Sequence, residues 1–318
     1  MRNAVFQGLA EAARDGEPVV LGIITGAQGS SPQKIGAKAL FHGDGRVLGT
    51  LGGGCLEAEI QRRALQSLRT GQGARFELVL DHDFGWDDGL VCGGKVSGLI
   101  LPNAQGAGEQ FWKELAEPKG ARMWGVRTDY SLAGIAERAD GIAEGTSRSS
   151  LAQDWLYQEK AAPPCALWIA GAGHIAQAVA PLALELDFEV AVFDDRPALA
   201  NRHYFPAAVA LHAEAWEKLL ALPLPSAPSF GLIVTRGHRH DALVLANWIH
   251  RPFRFLGMIG SGRKASTIFE HFAQERLATA EELQRVACPA GVRIRCQTVM
   301  EIAVSIMAQF IDKRAELA

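Results

Sequence analysis

The sequence reads as α/β: an N-terminal α/β domain followed by a C-terminal Rossmann-like, doubly wound domain. Three observations predict this. A strand, glycine turn, helix and second strand follow one another from Ala166 to Asp194. A proline-bearing break, Ala161-Ala162-Pro163-Pro164, stands just before them. Ahead of the break, short apolar runs alternate with glycine-rich turns and amphipathic helices. The expected domains are 1–160 and 165–318, with a linker over about 145–164 where prolines occur without helical periodicity.

Asn3 to Arg14 has Val5, Phe6, Leu9 and Ala13 near one helical face, and Asp15-Gly16 ends it. The run Val19-Val20-Leu21-Gly22-Ile23-Ile24 suits a buried strand over Pro18 to Thr25, followed by a loop from Gly26 to Pro32. Ala37 to Phe41 and Arg46 to Thr50 flank Gly43-Asp44-Gly45, a hairpin signal. A helix from Leu56 to Leu68 carries Ile60 and Ala64 on its apolar face. Strands are expected over Phe76 to Leu80 and Val96 to Leu101, with a polar loop from Asp81 to Gly89 between them. Pro102 to Gly108 reads as a break, Phe111 to Leu115 as a helix and Ala121 to Val126 as a strand. Gly134 to Ala143 reads as a short hairpin.

Beyond the linker, Ala166 to Ala170 is a buried strand, Gly171-Ala172-Gly173 the turn, Ile175 to Leu186 the helix and Glu189 to Phe193 the second strand. Further strands are expected over Leu232 to Thr235 and Phe255 to Ile259, with a helix from Asp241 to His250 and a loop over Gly260 to Lys264. Thr279 with Glu282, and Thr298 with Glu301, have the spacing of capping boxes. The last helix runs from Val299 to Lys313.

Composition narrows the function classes. The chain has 318 residues, 48% hydrophobic and 21% charged, enough to bury two cores. A net charge of −3 without a basic run argues against nucleic acid. No apolar run is long enough to cross a bilayer, and Met1 to Gln7 is not a secretory segment, so no membrane partner is expected. The cysteines are five, an odd number with no C-x-x-C pair, which reads as reduced thiols in the cytoplasm.

The chemistry centres on Leu51-Gly52-Gly53-Gly54-Cys55-Leu56-Glu57. Glycines ahead of a helix start expose backbone N–H groups and the positive end of the helix dipole, an anion cradle. Cys55 at that mouth is either a thiol with a lowered pKa or a buried structural cysteine in a tight turn. Ser30 and Ser31 offer hydroxyls after a strand, and Cys92-Gly93-Gly94 repeats a thiol beside glycines. Two such thiols converging would suit a soft metal or carried sulfur, whereas the spacing does not suit a four-ligand zinc site. In the second domain, Gly171 permits the turn, Gly173 lets the backbone approach a pyrophosphate, and Asp194 stands where a ribose hydroxyl is accepted. That favours NAD-like over NADP-like ligands, though Arg196 leaves room for a phosphate; the alternative is a Rossmann fold that keeps this loop and binds no dinucleotide. The polar groups Asp81/His82/Asp83 and His238/His240/Asp241 read as solvated loop residues, and Ser261, Arg263 and Lys264 as a cationic loop. Cys165, Cys288 and Cys296 read as structural, Cys288 closing a helix before Pro289.

Taken together and in order, these motifs resemble the xanthine dehydrogenase accessory factors, the XdhC/CoxI family. The likeness runs from Gly29-Ser30-Ser31-Pro32 and Gly36-Ala37-Lys38 through Gly52–Glu57, Cys92-Gly93-Gly94, the dinucleotide turn and Asp194-Asp195-Arg196-Pro197. It continues through Thr235–His238 with Asp241, and Gly257–Ser261, to Glu301–Ile306. Gly262 stands where the family has an arginine, so this loop carries one charge fewer. The resemblance implies a chaperone that binds molybdenum cofactor (molybdopterin, with or without a nucleotide), protects it during sulfuration and aids its insertion into a molybdenum hydroxylase. It also implies an apo molybdenum hydroxylase of the xanthine dehydrogenase or aldehyde/CO dehydrogenase type and a cysteine desulfurase as partners, and Cys55 and Cys92 as cofactor contacts. An apolar C-terminal helix face suggests a homodimer. The alternative is an NAD(P)-dependent oxidoreductase, for which His238 is the one tempting acid and no catalytic pairing is legible; a third idea is a persulfide carrier acting through Cys55.

Overall fold

The computed structural model describes residues 2–29, 33–80, 94–135, 154–225 and 227–316. The chain forms two compact units, Met1–Pro163 and Pro164–Ala318.

The first unit opens with α1 (Arg2–Asp15), β1 (Val19–Gln28), β2 (Lys38–His42), β3 (Val47–Gly49), α2 (Cys55–Thr70), β4 (Ala74–Leu80) and β5 (Gly94–Pro102). The strands form an antiparallel sheet in the order β3-β2-β1-β5-β4. Alternation along β1 sorts its side chains to two faces. Val20 and Ile24 meet Leu56, Ile60 and Ala64 of α2, while Val19, Leu21 and Ile23 meet Val5, Phe6 and Leu9 of α1. β1 runs three residues past the expected Thr25, because Gly26, Ala27 and Gln28 keep pairing with β5 after a register shift.

A 3₁₀ turn at Ala104–Ala107 occupies the expected break, and the Trp112 indole N–H donates to the Ala104 carbonyl at 2.9 Å. It leads into α3 (Glu109–Ala116) and then β6 (Arg122–Arg127) and β7 (Leu132–Ile135). The β6–β7 pair turns before Leu132, upstream of the hairpin expected from Gly134, whose remainder lies outside the described residues. Trp155–Ala161, expected within the linker, is instead β8, antiparallel to β6. Its sequence, Trp-Leu-Tyr-Gln-Glu-Lys-Ala, hides the strand because Gln158 and Glu159 are buried polar residues.

The second unit runs β9 (Ala166–Ala170), α4 (His174–Glu185), β10 (Glu189–Asp194), β11 (Ala210–Ala213), α5 (Trp216–Ala221), β12 (Ser229–Ile233), α6 (His238–Trp248), β13 (Phe255–Met258), α7 (Gly262–Gln274), α8 (Ala280–Gln284), β14 (Val286–Ala287) and α9 (Val299–Ala315). Its six parallel strands lie in the order β11-β10-β9-β12-β13-β14, the doubly wound order with its switch point between β9 and β12. Ala176, Ala180 and Ala183 let α4 sit close to one sheet face, which it shares with Ile306 and Phe310 of α9. Trp216, Val244, Trp248, Ile268 and Phe272 cover the other face. Both expected capping boxes form, at Thr279/Glu282 and Thr298/Glu301.

One helix starts earlier than expected, and another replaces an expected loop. α6 begins at His238 and α7 at Gly262, where the Ser261 side chain accepts from the Lys264 N–H, so Arg263 and Lys264 are helical, not loop, residues. Among the described residues no helix is long and apolar enough to cross a membrane.

Candidate functional site

The glycine stretch of the first unit joins β3 to α2. Leu51, fully buried, anchors it to the core, and the Thr50 hydroxyl donates to the Gly52 carbonyl at 2.7 Å while accepting from the Gly52 N–H at 3.2 Å. Gly52 (φ 140°) and Gly54 (φ 59°, ψ −133°) take backbone conformations that disfavour side chains. Gly53 and Gly54 are exposed, and among the described residues a Cβ on either would touch nothing within 4 Å. Gly54 is the N-cap of the 16-residue α2, and among the described residues no side chain caps the first-turn N–H groups. Cys55 is the first residue of this helix, and Glu57 places a half-buried carboxylate in the first turn. That carboxylate complements the helix dipole.

The antiparallel register gathers the flanks of all three motifs at one end of the sheet. Ile23 of β1 is opposite Lys38 of β2, and Ala39 is opposite Gly49 of β3, so β1 ends, β2 begins and β3 ends together. Gln28 is opposite Lys95, and Leu80 is opposite Gly94, which brings the start of β5 and the end of β4 to that end as well. Ser30, Ser31, Cys92 and Gly93 themselves lie outside the described residues, as do Asp81, His82 and Asp83.

Beneath this end lies a buried ion pair that sequence reasoning missed. Lys38 Nζ is 2.5 Å from Glu159 Oε2, with side-chain exposures of 3% and 5%. Lys38 also donates to the Gly36 carbonyl at 2.8 Å and sits 5.4 and 5.6 Å from the rings of Phe6 and Trp124. The Tyr157 hydroxyl donates to Glu159 at 3.0 Å. The one sequence signal was Lys38 inside the Gly36-Ala37-Lys38 motif; Glu159 gave none.

In the second unit, Gly171 (φ 113°) packs its Cα against the backbone of Val234 and Thr235, across the switch point. Gly173 is the N-cap of α4, open above its Cα. Asp194, at the end of β10, is 1% exposed. Burial pushes its carboxyl up, but the Arg196 guanidinium and the Ala172 N–H more than offset that, so it stays below the usual carboxylate range. The neighbouring Asp195 pairs with Arg236 at 2.8 Å, and Arg236 also contacts His240 at 2.9 Å.

Asp241, expected as a solvated loop residue, is fully buried in α6. It accepts from the Thr235 N–H (3.2 Å) and hydroxyl (2.6 Å) and pairs with Lys264, which ties the loops after β12 and β13 together. This pairing is why Lys264 does not contribute a free cation to the loop. Cys288 follows the edge strand β14 and closes no helix. Burial pushes its thiol up, and nearby Lys264 pulls against that while Asp241 adds to it.

Known proteins resemble this chain over nearly its full length. A family described as the XdhC Rossmann domain matches residues 167–310, and the XdhC and CoxI family matches residues 12–80. The chain is 23% identical to a Bacillus subtilis protein named as a probable xanthine dehydrogenase component, covering 96% of each. It is 24% identical to the molybdenum cofactor insertion chaperone PaoD of Escherichia coli, covering 98% of this chain and 88% of that one. It is 25% identical to Escherichia coli YqeB over 97% of its own length, but spans only 46% of YqeB. A crystal structure of a protein named as a xanthine dehydrogenase, from Bacillus halodurans, shares its fold, with a TM-score of 0.79 at 24% identity over 98% of this chain and 96% of that one. With both halves matched in order, the chain belongs to the XdhC/CoxI family.

Proposed function

We propose that this chain binds molybdenum cofactor, shelters it while its terminal sulfur is installed, and hands it to an apo molybdenum hydroxylase of the xanthine dehydrogenase type. The observation that carries the proposal is the uncapped glycine loop opening α2, with Cys55 as the first helical residue, at the sheet end reached by the flanks of the Ser30-Ser31 and Cys92-Gly93 motifs. The name of the PaoD relative supports the same reading. The open loop fits the group: the N–H donors of a helix start suit a phosphate ester, and no described residue crowds the space above Gly53 and Gly54.

When bound, the cofactor supplies the phosphate and the thiophilic metal centre. The first-turn N–H groups of α2 would hold the phosphate, and Cys55 and Cys92 would present sulfur to the metal. Glu57 would limit the bound charge. A cysteine desulfurase would provide the sulfur, and the homodimer we propose would use the exposed apolar face of α9, where Met300, Val304 and Ile311 stand uncovered.

Anaerobic titration of the purified protein with molybdenum cofactor tests the assignment. Cys55→Ala and Cys92→Ala should each weaken binding about tenfold or more, the loss of roughly 1.4 kcal/mol. If both variants bind as wild type does, the site is elsewhere.

A further inference from the structure

Asp194 occupies the place where a dinucleotide-binding fold keeps the carboxylate that accepts the adenosine ribose. In this chain that carboxylate is already committed. Oδ2 accepts from the Ala172 N–H at 2.7 Å and from Arg196 Nη2 at 2.8 Å. Oδ1 accepts from the Arg196 N–H at 2.9 Å and from its Nε at 2.8 Å. A carboxylate has about four acceptor positions, and four donors are in place. The turn is spent in the same way: the Gly171 N–H donates to the Phe193 carbonyl at 2.7 Å. Asp195, the partly exposed neighbour, is held by Arg236.

We infer that Asp194 is a clamp that ties the glycine turn to β10, and that it does not serve as the ribose acceptor of an NAD(H) site. A neutral ribose hydroxyl would have to displace a guanidinium or a backbone donor from a buried carboxylate. Charge-assisted bonds are about twice as strong as neutral ones, so the exchange runs uphill. Loss of the Ala172 bond would also strand a buried N–H. The residues present therefore do not fit NAD(H) in the pose the fold implies.

The test is titration of the full-length protein with NAD⁺ and NADH, followed by calorimetry and nucleotide fluorescence, beside thermal melts of wild type and Asp194→Asn. The inference expects either no saturable binding up to about 1 mM, or binding that Asp194→Asn leaves within about threefold, together with a lower melting temperature in the variant. Binding in the micromolar range that Asp194→Asn weakens tenfold or more overturns it, and so does an unchanged melting temperature. Should Asp194→Asn fail to fold, Arg196→Gln takes its place. That variant should melt lower without gaining NAD(H) affinity; a tenfold gain would show that Arg196 merely fills a working ribose seat, and would overturn the inference.

Discussion

Replacing Lys38 by methionine probes the structure at its least expected point. The side chain keeps an unbranched apolar stem, but Glu159, 5% exposed, loses its ion partner and the Gly36 carbonyl loses a donor. Removing one member of a buried ion pair costs roughly 3–5 kcal/mol, because the remaining charge is left uncompensated in a low-dielectric interior. For a unit of this size that corresponds to a drop of about 6–20 °C in melting temperature. Equilibrium urea unfolding gives the magnitude. Hydrogen exchange at the amides of β2 and β8 shows whether the loss is local, since those two strands carry the pair. The exposed Glu109–Lys113 pair, with side chains 36% and 59% accessible, is the internal control: Lys113→Met should cost no more than about 0.5 kcal/mol. Lys38→Met with Glu159→Leu removes both charges and should recover most of the loss. If Lys38→Met costs no more than Lys113→Met, the argument that this pair holds β8 in place is wrong.

Four further outcomes follow from the same geometry. Glu59 lies between Arg62 and Arg63, whose hydrogen bonds lower its pKa from 4.5 to about 2; the stabilisation is therefore complete above pH 4.5 and is lost as pH falls towards 2. Glu59→Gln should cost at most about 1 kcal/mol at pH 7, and urea midpoints of the two proteins should converge through that window. Gly171→Ala would place a Cβ 2.3 Å from the Val234 carbonyl oxygen at φ 113°, so it should destabilise the second unit by about 2–5 kcal/mol in thermal melts. Thr298→Ala removes the hydroxyl that accepts from the Glu301 N–H at 3.2 Å and should cost about 1 kcal/mol by the same assay. Met300→Asp with Val304→Asp should shift the proposed dimer to monomer in sedimentation, and an unchanged mass would remove α9 as the interface.

Periodicity and turn chemistry made most of the fold legible. The continuous apolar runs of β1 and β9, the glycine turn at 171–173 and the two capping boxes are local patterns, written within a few residues of one another. Charged residues are less legible, because the sequence alone assigns them to solvent. The sequence puts Asp241 in a wet loop, yet it is fully buried because Thr235 and Lys264 satisfy it from two other segments. β8 reads as linker, since its glutamate looks like surface until its partner Lys38 is in place.

The amino-acid order by itself determined the α/β class, the parallel second sheet, the glycine loop ahead of Cys55 and the family likeness, since each rests on short-range spacing. Only the tertiary structure decided which ends of the first sheet coincide, that Lys38 and Glu159 neutralise each other, and that Asp194 is consumed by its own turn. Those facts depend on partners distant along the chain or on the saturation of a few acceptor positions, and the free energy of burying a charge is set by whether such a partner arrives.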